Sequence, residues 1–160
     1  MTKELVAYFS ASGVTAGVAK KLSEALGADL YEIKPVEPYT PEDLNWMDKN
    51  SRSSREMNDK SFRPAMIDDD AHIEKYDLIY LGFPVWWYIA PTIVNTFLEK
   101  YDFAGKKIVV FITSGGSGFG NTIAELAASV DKTTQIIEGA RFNYKTTVEE
   151  MKTWVEDLGL

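Results

Sequence analysis

Short, continuous apolar runs alternate along this chain with longer stretches in which apolar residues recur at helical spacing. Leu5 to Phe9 is the first short run, rich enough in β-branched and aromatic residues for a buried parallel strand. From Val14 to Leu26 the positions Val14, Val18, Leu22 and Leu26 recur every four residues, with Ala19 and Ala25 beside them. This predicts a helix closed by Gly27 as its C-cap. Leu30 to Ile33 reads as a second strand, stopped by Pro35 and Pro38. Tyr76 to Leu81 is a third, and Pro91 opens a helix with Ile93, Val94, Phe97 and Leu98 on one face, ending before Gly105. Lys107 to Ile112 is a fourth strand of almost pure β-formers, followed by a helix over Asn121 to Val130 with Ile123, Leu126, Ala127 and Val130 inward. Residues 134–143 make a fifth strand interrupted by Gly139, and Thr147 to Leu158 is the last helix, with Val148, Met151, Trp154, Val155 and Leu158 at helical spacing.

The interval from about 35 to 72 breaks this rhythm. It is polar and far longer than the roughly 4–6 residues that usually connect elements in a compact domain. Within it, Thr40 is placed to cap a helix with Pro41 at its first position and acids in its first turn, so a helix is expected from near Pro41 to about Met57. The run Asp68-Asp69-Asp70 beside the single His72 reads as a solvated acidic loop, since adjacent loop residues do not converge on one metal ion.

The element order β-α-β-(insert)-β-α-β-α-β-α, with strands 1, 3 and 4 apolar throughout, predicts an α/β fold: a doubly wound, five-stranded parallel sheet in a three-layer αβα domain spanning 1–160. Right-handed crossovers give the strand order 2-1-3-4-5, with its topological switch between strands 1 and 3. Three unusual loops, at 10–15, 84–88 and 114–120, all leave carboxyl ends of strands and should converge on one crevice there.

Composition narrows the chemistry. With no cysteine among 160 residues, disulfides and thiolate catalysis are excluded, and a reducing cytoplasm is the expected location. A net charge of −7 and a pI near 4.8 argue against nucleic acid, and no apolar run approaches the roughly 20 residues that span a bilayer. The acidity could steer a basic protein partner or serve solubility alone.

The first loop supplies hydroxyls from Ser10, Ser12 and Thr15, a close backbone approach at Gly13, and the amides of a helix starting at Val14. That combination suits a phosphate without lysine or arginine, although an ordinary βα turn has the same letters. It matches neither the P-loop nor the dinucleotide fingerprint. The second loop, Pro84-Val85-Trp86-Trp87-Tyr88, sets three consecutive aromatics where a strand has just ended, and consecutive side chains cannot all face one core. The third, Ser114-Gly115-Gly116-Ser117-Gly118-Phe119-Gly120, has the glycines needed to bring backbone against the polar edge of a ring system.

Together, Phe9-Ser10-Ala11-Ser12-Gly13-Val14-Thr15, Gly82-Phe83-Pro84-Val85-Trp86-Trp87 and Thr113 to Gly120 resemble the three FMN-binding loops of flavodoxins, in particular the short bacterial flavodoxin-like flavoproteins with a Pro-Val-Trp-Trp loop. The resemblance covers nearly the whole chain, including the polar insertion Tyr39 to Asp59. It implies that Ser10, Ser12, Gly13, Val14 and Thr15 hold the FMN phosphate. It further implies that Pro84, Val85, Trp86, Trp87 and Tyr88 line one side of the isoalloxazine, and that Ser114, Gly115, Gly116, Ser117 and Gly120 meet its pyrimidine edge. Two departures stand out: serine replaces threonine at two positions of the first loop, and Tyr88 stands where relatives commonly have glycine. The insertion's Trp46, Ser51 and Arg52 are expected on a solvent-facing helix rather than at the site.

No residue reads as a catalytic acid, base, nucleophile or metal ligand, and flavin chemistry needs none. Aromatic walls and acidic charge predict a lowered potential for the second electron. Two functions follow from the resemblance: an electron carrier serving a redox partner protein, which is preferred, or an NAD(P)H-dependent oxidoreductase passing electrons to a small quinone-like acceptor, with a homodimer left open.

Overall fold

The computed structural model describes residues 3–11, 13–45, 47–59, 61–67, 70–86, 89–113 and 118–159. Strands β1 (Glu4–Tyr8), β2 (Asp29–Glu32), β3 (Leu78–Pro84), β4 (Lys107–Thr113) and β5 (Gln135–Phe142) form one parallel sheet in the order β2-β1-β3-β4-β5. The expected topology is therefore present. The strands that read as unbroken apolar runs, β1, β3 and β4, are its three central members, buried on both faces. The helices are α1 (Val14–Leu26), α2 (Arg52–Met57), α3 (Thr92–Lys100), α4 (Thr122–Ala127) and α5 (Val148–Leu158).

Two cores flank the sheet. On one face α1 and α5 close over Val6, Tyr8, Tyr80, Val109 and Phe111. On the other, Ile93, Val94, Phe97 and Leu98 of α3 pack over Leu5, Ile79, Leu81 and Val110, as their spacing predicts. On the α1 and α5 face Gly82 lets the layer close: a β-carbon there would lie 2.1 Å from the Phe111 ring.

Several expectations fail in instructive ways. Tyr76 ends a short 3-10 turn (Ile73–Lys75), so the third strand starts at Leu78 and runs on through Pro84. Val14, the first of the residues that recur every four positions, is 40% exposed at the mouth of α1, while Thr15 is buried. Helix α4 stops at Ala127, which is exposed, and Thr122 takes the buried position.

The expected helix from Pro41 to Met57 does not form as one piece. Thr40 and Asp43 do exchange side-chain-to-amide bonds (Thr40 N to Asp43 Oδ2, 3.0 Å; Asp43 N to Thr40 Oγ1, 3.2 Å), but they close only a turn. Asn45 and Asp48 then capture the amides of Met47 and Asn50, offering the backbone a rival to helical bonding. Helix starts again only where Ser51 caps the Ser54 amide.

Candidate functional site

The carboxyl ends of β1, β3 and β4 bring the described parts of the three loops together. Phe9 N donates to Gly82 O (2.9 Å), and Val85 N donates to Thr113 O (3.2 Å), so the first loop is tied to the second and the second to the third. Ser12, Trp87, Tyr88, Ser114, Gly115, Gly116 and Ser117 lie outside the described residues. Gly120 is described, exposed and with φ of 53°, a left-handed conformation that favours glycine.

At the first loop, Gly13 precedes α1 with φ of 97°, and its amide donates to Ser10 Oγ (3.1 Å). Among the described residues no side chain caps the helix, which leaves its first-turn amides to suit a ligand or water. An anion fits that donor set, because the dipole of a 13-residue helix points the same way. The buried Thr15 hydroxyl is instead paired with Thr113 Oγ1 at 2.7 Å, joining the helix start to the end of β4.

The second loop is a tight bridge, in which Trp86 and Ile89 exchange backbone bonds of 3.0 and 3.1 Å. Trp86 meets Phe9 and Tyr39 edge-on, with ring centres 6.0 and 5.5 Å apart, and Tyr39 meets Phe9 at 5.6 Å. Trp86 is thus fixed as a wall by rings from two other segments.

Tyr39 belongs to the insertion, whose Ser51 and Arg52 were expected on a solvent-facing helix. The structure corrects this: Ser53, Ser54, Glu56 and Met57 of α2 are buried, as is the capping Ser51. Arg52 sits over the Tyr39 ring at 3.9 Å and bonds Glu56 Oε2 (3.2 Å) and the Glu37 carbonyl (2.7 Å). The Tyr39 hydroxyl donates to the other Glu56 oxygen. Burial, reinforced by that carboxylate, pushes the phenol's pKa well above its ordinary value. Arg52 therefore reaches the site indirectly, by bracing Tyr39 behind Trp86. Trp46 lies outside the described residues.

A cavity of about 560 Å³ opens beside the wall, lined by Val14, Pro84, Val85, Trp86 and Thr113 and, across from them, by residues 141–145 following β5. Sequence reasoning missed both Tyr39 with Glu56 and this fourth loop. The topology could have pointed to the latter, since it too leaves the carboxyl end of a strand. A smaller cavity, about 300 Å³, lies between Ser10, Ala11 and Tyr39.

Away from these loops, Asp70, His72 and Glu74 offer ligand atoms within 4.8 Å of one another, but all three are exposed and His72 pairs with both carboxylates. Among the described residues no helix is long and apolar enough to cross a membrane.

Residues 3–158 match a protein-family model described as flavodoxin. Among solved structures, a candidate flavoprotein from Bacteroides eggerthii is 43% identical over 100% of this chain and 99% of its own, with a TM-score of 0.89. Another from Bacteroides uniformis is 44% identical over 97% and 98%, with a TM-score of 0.87. A flavoprotein from Lactobacillus acidophilus in complex with FMN shares the fold at 23% identity over 97% and 99%, TM-score 0.72. No curated protein matches the chain.

Proposed function

The chain belongs to the flavodoxin family, and from that premise we propose that it is an FMN-dependent redox protein whose bound flavin exchanges electrons with a nicotinamide nucleotide. Its cofactor is FMN, the ligand of the Lactobacillus acidophilus relative. When bound, FMN supplies the redox chemistry, taking up and releasing electrons. The chain's own part is to bind and orient. The uncapped start of α1 and the Ser10 hydroxyl suit the phosphate, and Trp86, held by Phe9 and Tyr39, offers an apolar wall to a flat ring. The assignment of Ser10, Ser12, Gly13, Val14 and Thr15 to the phosphate, of Pro84 to Tyr88 to the ring and of Ser114 to Ser117 with Gly120 to its polar edge remains part of this proposal.

The observation that carries the reading is the 560 Å³ cavity lined by Val14, Pro84, Val85, Trp86 and Thr113, of a size to seat a flavin, whose far side at residues 141–145 is exposed and leaves a small-molecule electron donor a way to approach. A second reading, a carrier that docks on a redox protein, draws on the net charge of −7, which would steer a basic partner. The two separate in one experiment: the visible spectrum of FMN-reconstituted protein, kept anaerobic, before and after NADPH or NADH. Rapid bleaching is expected. Retained colour without bleaching would transfer the case to the carrier, and failure to retain FMN would overturn the loop assignments.

A further inference from the structure

The insertion encloses a cavity of about 440 Å³ between α2 and the segments before and after it, and none of the residues assigned to FMN lines it. Its walls are pinned on every side. Val36 N donates to Ala65 O (3.0 Å) and Ile67 N to Lys34 O (2.8 Å), joining the segment before α2 to the one after it. The Thr96 hydroxyl of α3 donates to the Pro64 carbonyl (3.0 Å), and Arg63 forks onto Glu99 (3.0 and 2.9 Å), so the later segment is tied to α3. Arg52 Nη1, donating to the Glu37 carbonyl (2.7 Å), ties α2 to the earlier one.

Part of the lining is apolar. Val36, Phe62, Pro64 and Ala65 contribute to it, and Val36 and Phe62 are large side chains that the core does not cover, 55% and 44% exposed. The charged part sorts by what is already answered. Glu56 accepts from Tyr39 and Arg52, and Asp59 accepts from the amide and the hydroxyl of Ser61 (3.1 and 2.6 Å). Among the described residues the Arg55 guanidinium and the Glu37 carboxylate have neither a hydrogen bond nor an ion pair. Arg55 follows Arg52 by three residues, on the same face of α2, and Arg52 holds the backbone of Glu37. One free cation and one free anion therefore border the same cavity, roughly a helical turn apart.

We propose that this cavity binds a zwitterionic α-amino acid with an apolar side chain, its carboxylate on Arg55, its ammonium on Glu37 and its side chain against Phe62 and Val36. Each part of such a ligand meets a part of the lining that has no partner within the fold. The two charged ends form charge-assisted hydrogen bonds, and the side chain takes exposed apolar surface out of water. A simple anion leaves Glu37 unanswered beside it, and a simple cation does the same to Arg55. The volume lies within the range of small-ligand sites. The occupant rests against Arg52 and Glu56, the pair that braces Tyr39 behind Trp86, so the site adjoins the flavin wall from behind and is independent of which molecule reduces the flavin.

The test titrates L-phenylalanine and L-leucine into the protein by calorimetry, with at least one expected to bind at concentrations up to about 10 mM. Arg55→Gln and Glu37→Gln remove no side-chain bond within the fold, and each should weaken that amino acid about tenfold or more. Lys152→Gln, a loss of charge at an exposed position on α5, should stay within about twofold. Phenylpropionate, which lacks the ammonium, and phenethylamine, which lacks the carboxylate, should each bind about tenfold or more weakly than L-phenylalanine. Binding of neither amino acid to wild-type protein would overturn the proposal, and so would unchanged affinity in either variant. If phenylpropionate or phenethylamine binds as tightly as L-phenylalanine, one of the two charged contacts does not exist and the zwitterion site falls.

Discussion

The two flanks of the site are built in opposite ways. Behind Trp86, charge is buried and paired: Glu56, 5% exposed, answers both the Tyr39 hydroxyl and Arg52, and Arg52 also covers a ring and a carbonyl. Across the cavity, Arg141 and Lys145 keep their charge at the surface, and only the backbone beneath them is tied down. Buried pairing fixes a wall in one place, because each partner is costly to leave unanswered. Exposed cations on a rigid turn keep their charge in contact with solvent. The first arrangement suits the fixed wall of a cofactor site and the second its open rim.

Breaking the buried flank should have the largest effect. Glu56→Ala leaves the Tyr39 hydroxyl and the Arg52 guanidinium without their shared acceptor and should cost about 3 kcal/mol in urea unfolding, with weaker FMN retention. A cost below about 1 kcal/mol would mean that water replaces the carboxylate and that the flank is less dry than its burial implies.

The open flank depends on β5 beneath it. A β-carbon on Gly139 would lie 2.3 Å from the Val110 carbonyl oxygen and 2.8 Å from the Trp154 ring, and the backbone atom cannot step aside. Gly139→Ala should therefore cost about 2 kcal/mol and weaken FMN retention less than Glu56→Ala does. An equal loss of FMN retention in the two variants would show that the two flanks are not independent.

The smallest effect separates the phenol from its ring. Tyr39→Phe keeps the contacts with Trp86 and Phe9 and should cost about 1 kcal/mol at neutral pH. Because the folded pKa of Tyr39 is raised, its contribution is complete below about pH 10 and is lost as the pH climbs beyond that. The gap between wild type and Tyr39→Phe in chemical unfolding should accordingly narrow above pH 10. Tyr76 and Tyr80, pushed up to about 12 chiefly by burial, are common to both proteins and cancel. A gap that stays constant to pH 12 would place the benefit in packing alone.

How much of this was readable in the chain follows from the range of the interactions. The sheet order was legible because β1, β3 and β4 are buried on both faces and must be apolar throughout, and α1 because its spacing and Gly27 are local signals. The three loops were legible as unusual letters after strands. The insertion misled because Thr40, Pro41 and the following acids are honest helix-start signals that lose to Asn45 and Asp48 a few residues later. Tyr39 and Glu56 were invisible for another reason. Their meaning lies in contacts with Phe9 and Trp86, 30 and 47 positions from Tyr39, which no local pattern records. The β5 loop was passed over because its cations look like ordinary surface charge until the strand order sets them beside Trp86.

Gly139 also acts as a parity switch. Glu138 pairs with Val110 and Ala140 with Phe111, so the strand takes up one extra residue at this point. Before it, the odd-numbered Ile137 packs under α1 and α5; after it, the even-numbered Ala140 and Phe142 do. Were the alternation unbroken, Phe142 would turn outward and Arg141 would be driven into an apolar layer beside Trp154. A single insertion elsewhere in β5 would have that result, whereas removal of Gly139 itself would leave every later side chain on its present face. The chain can thus lose this residue more safely than it can gain one, and which side of the sheet receives the positive charge is decided by a count of one.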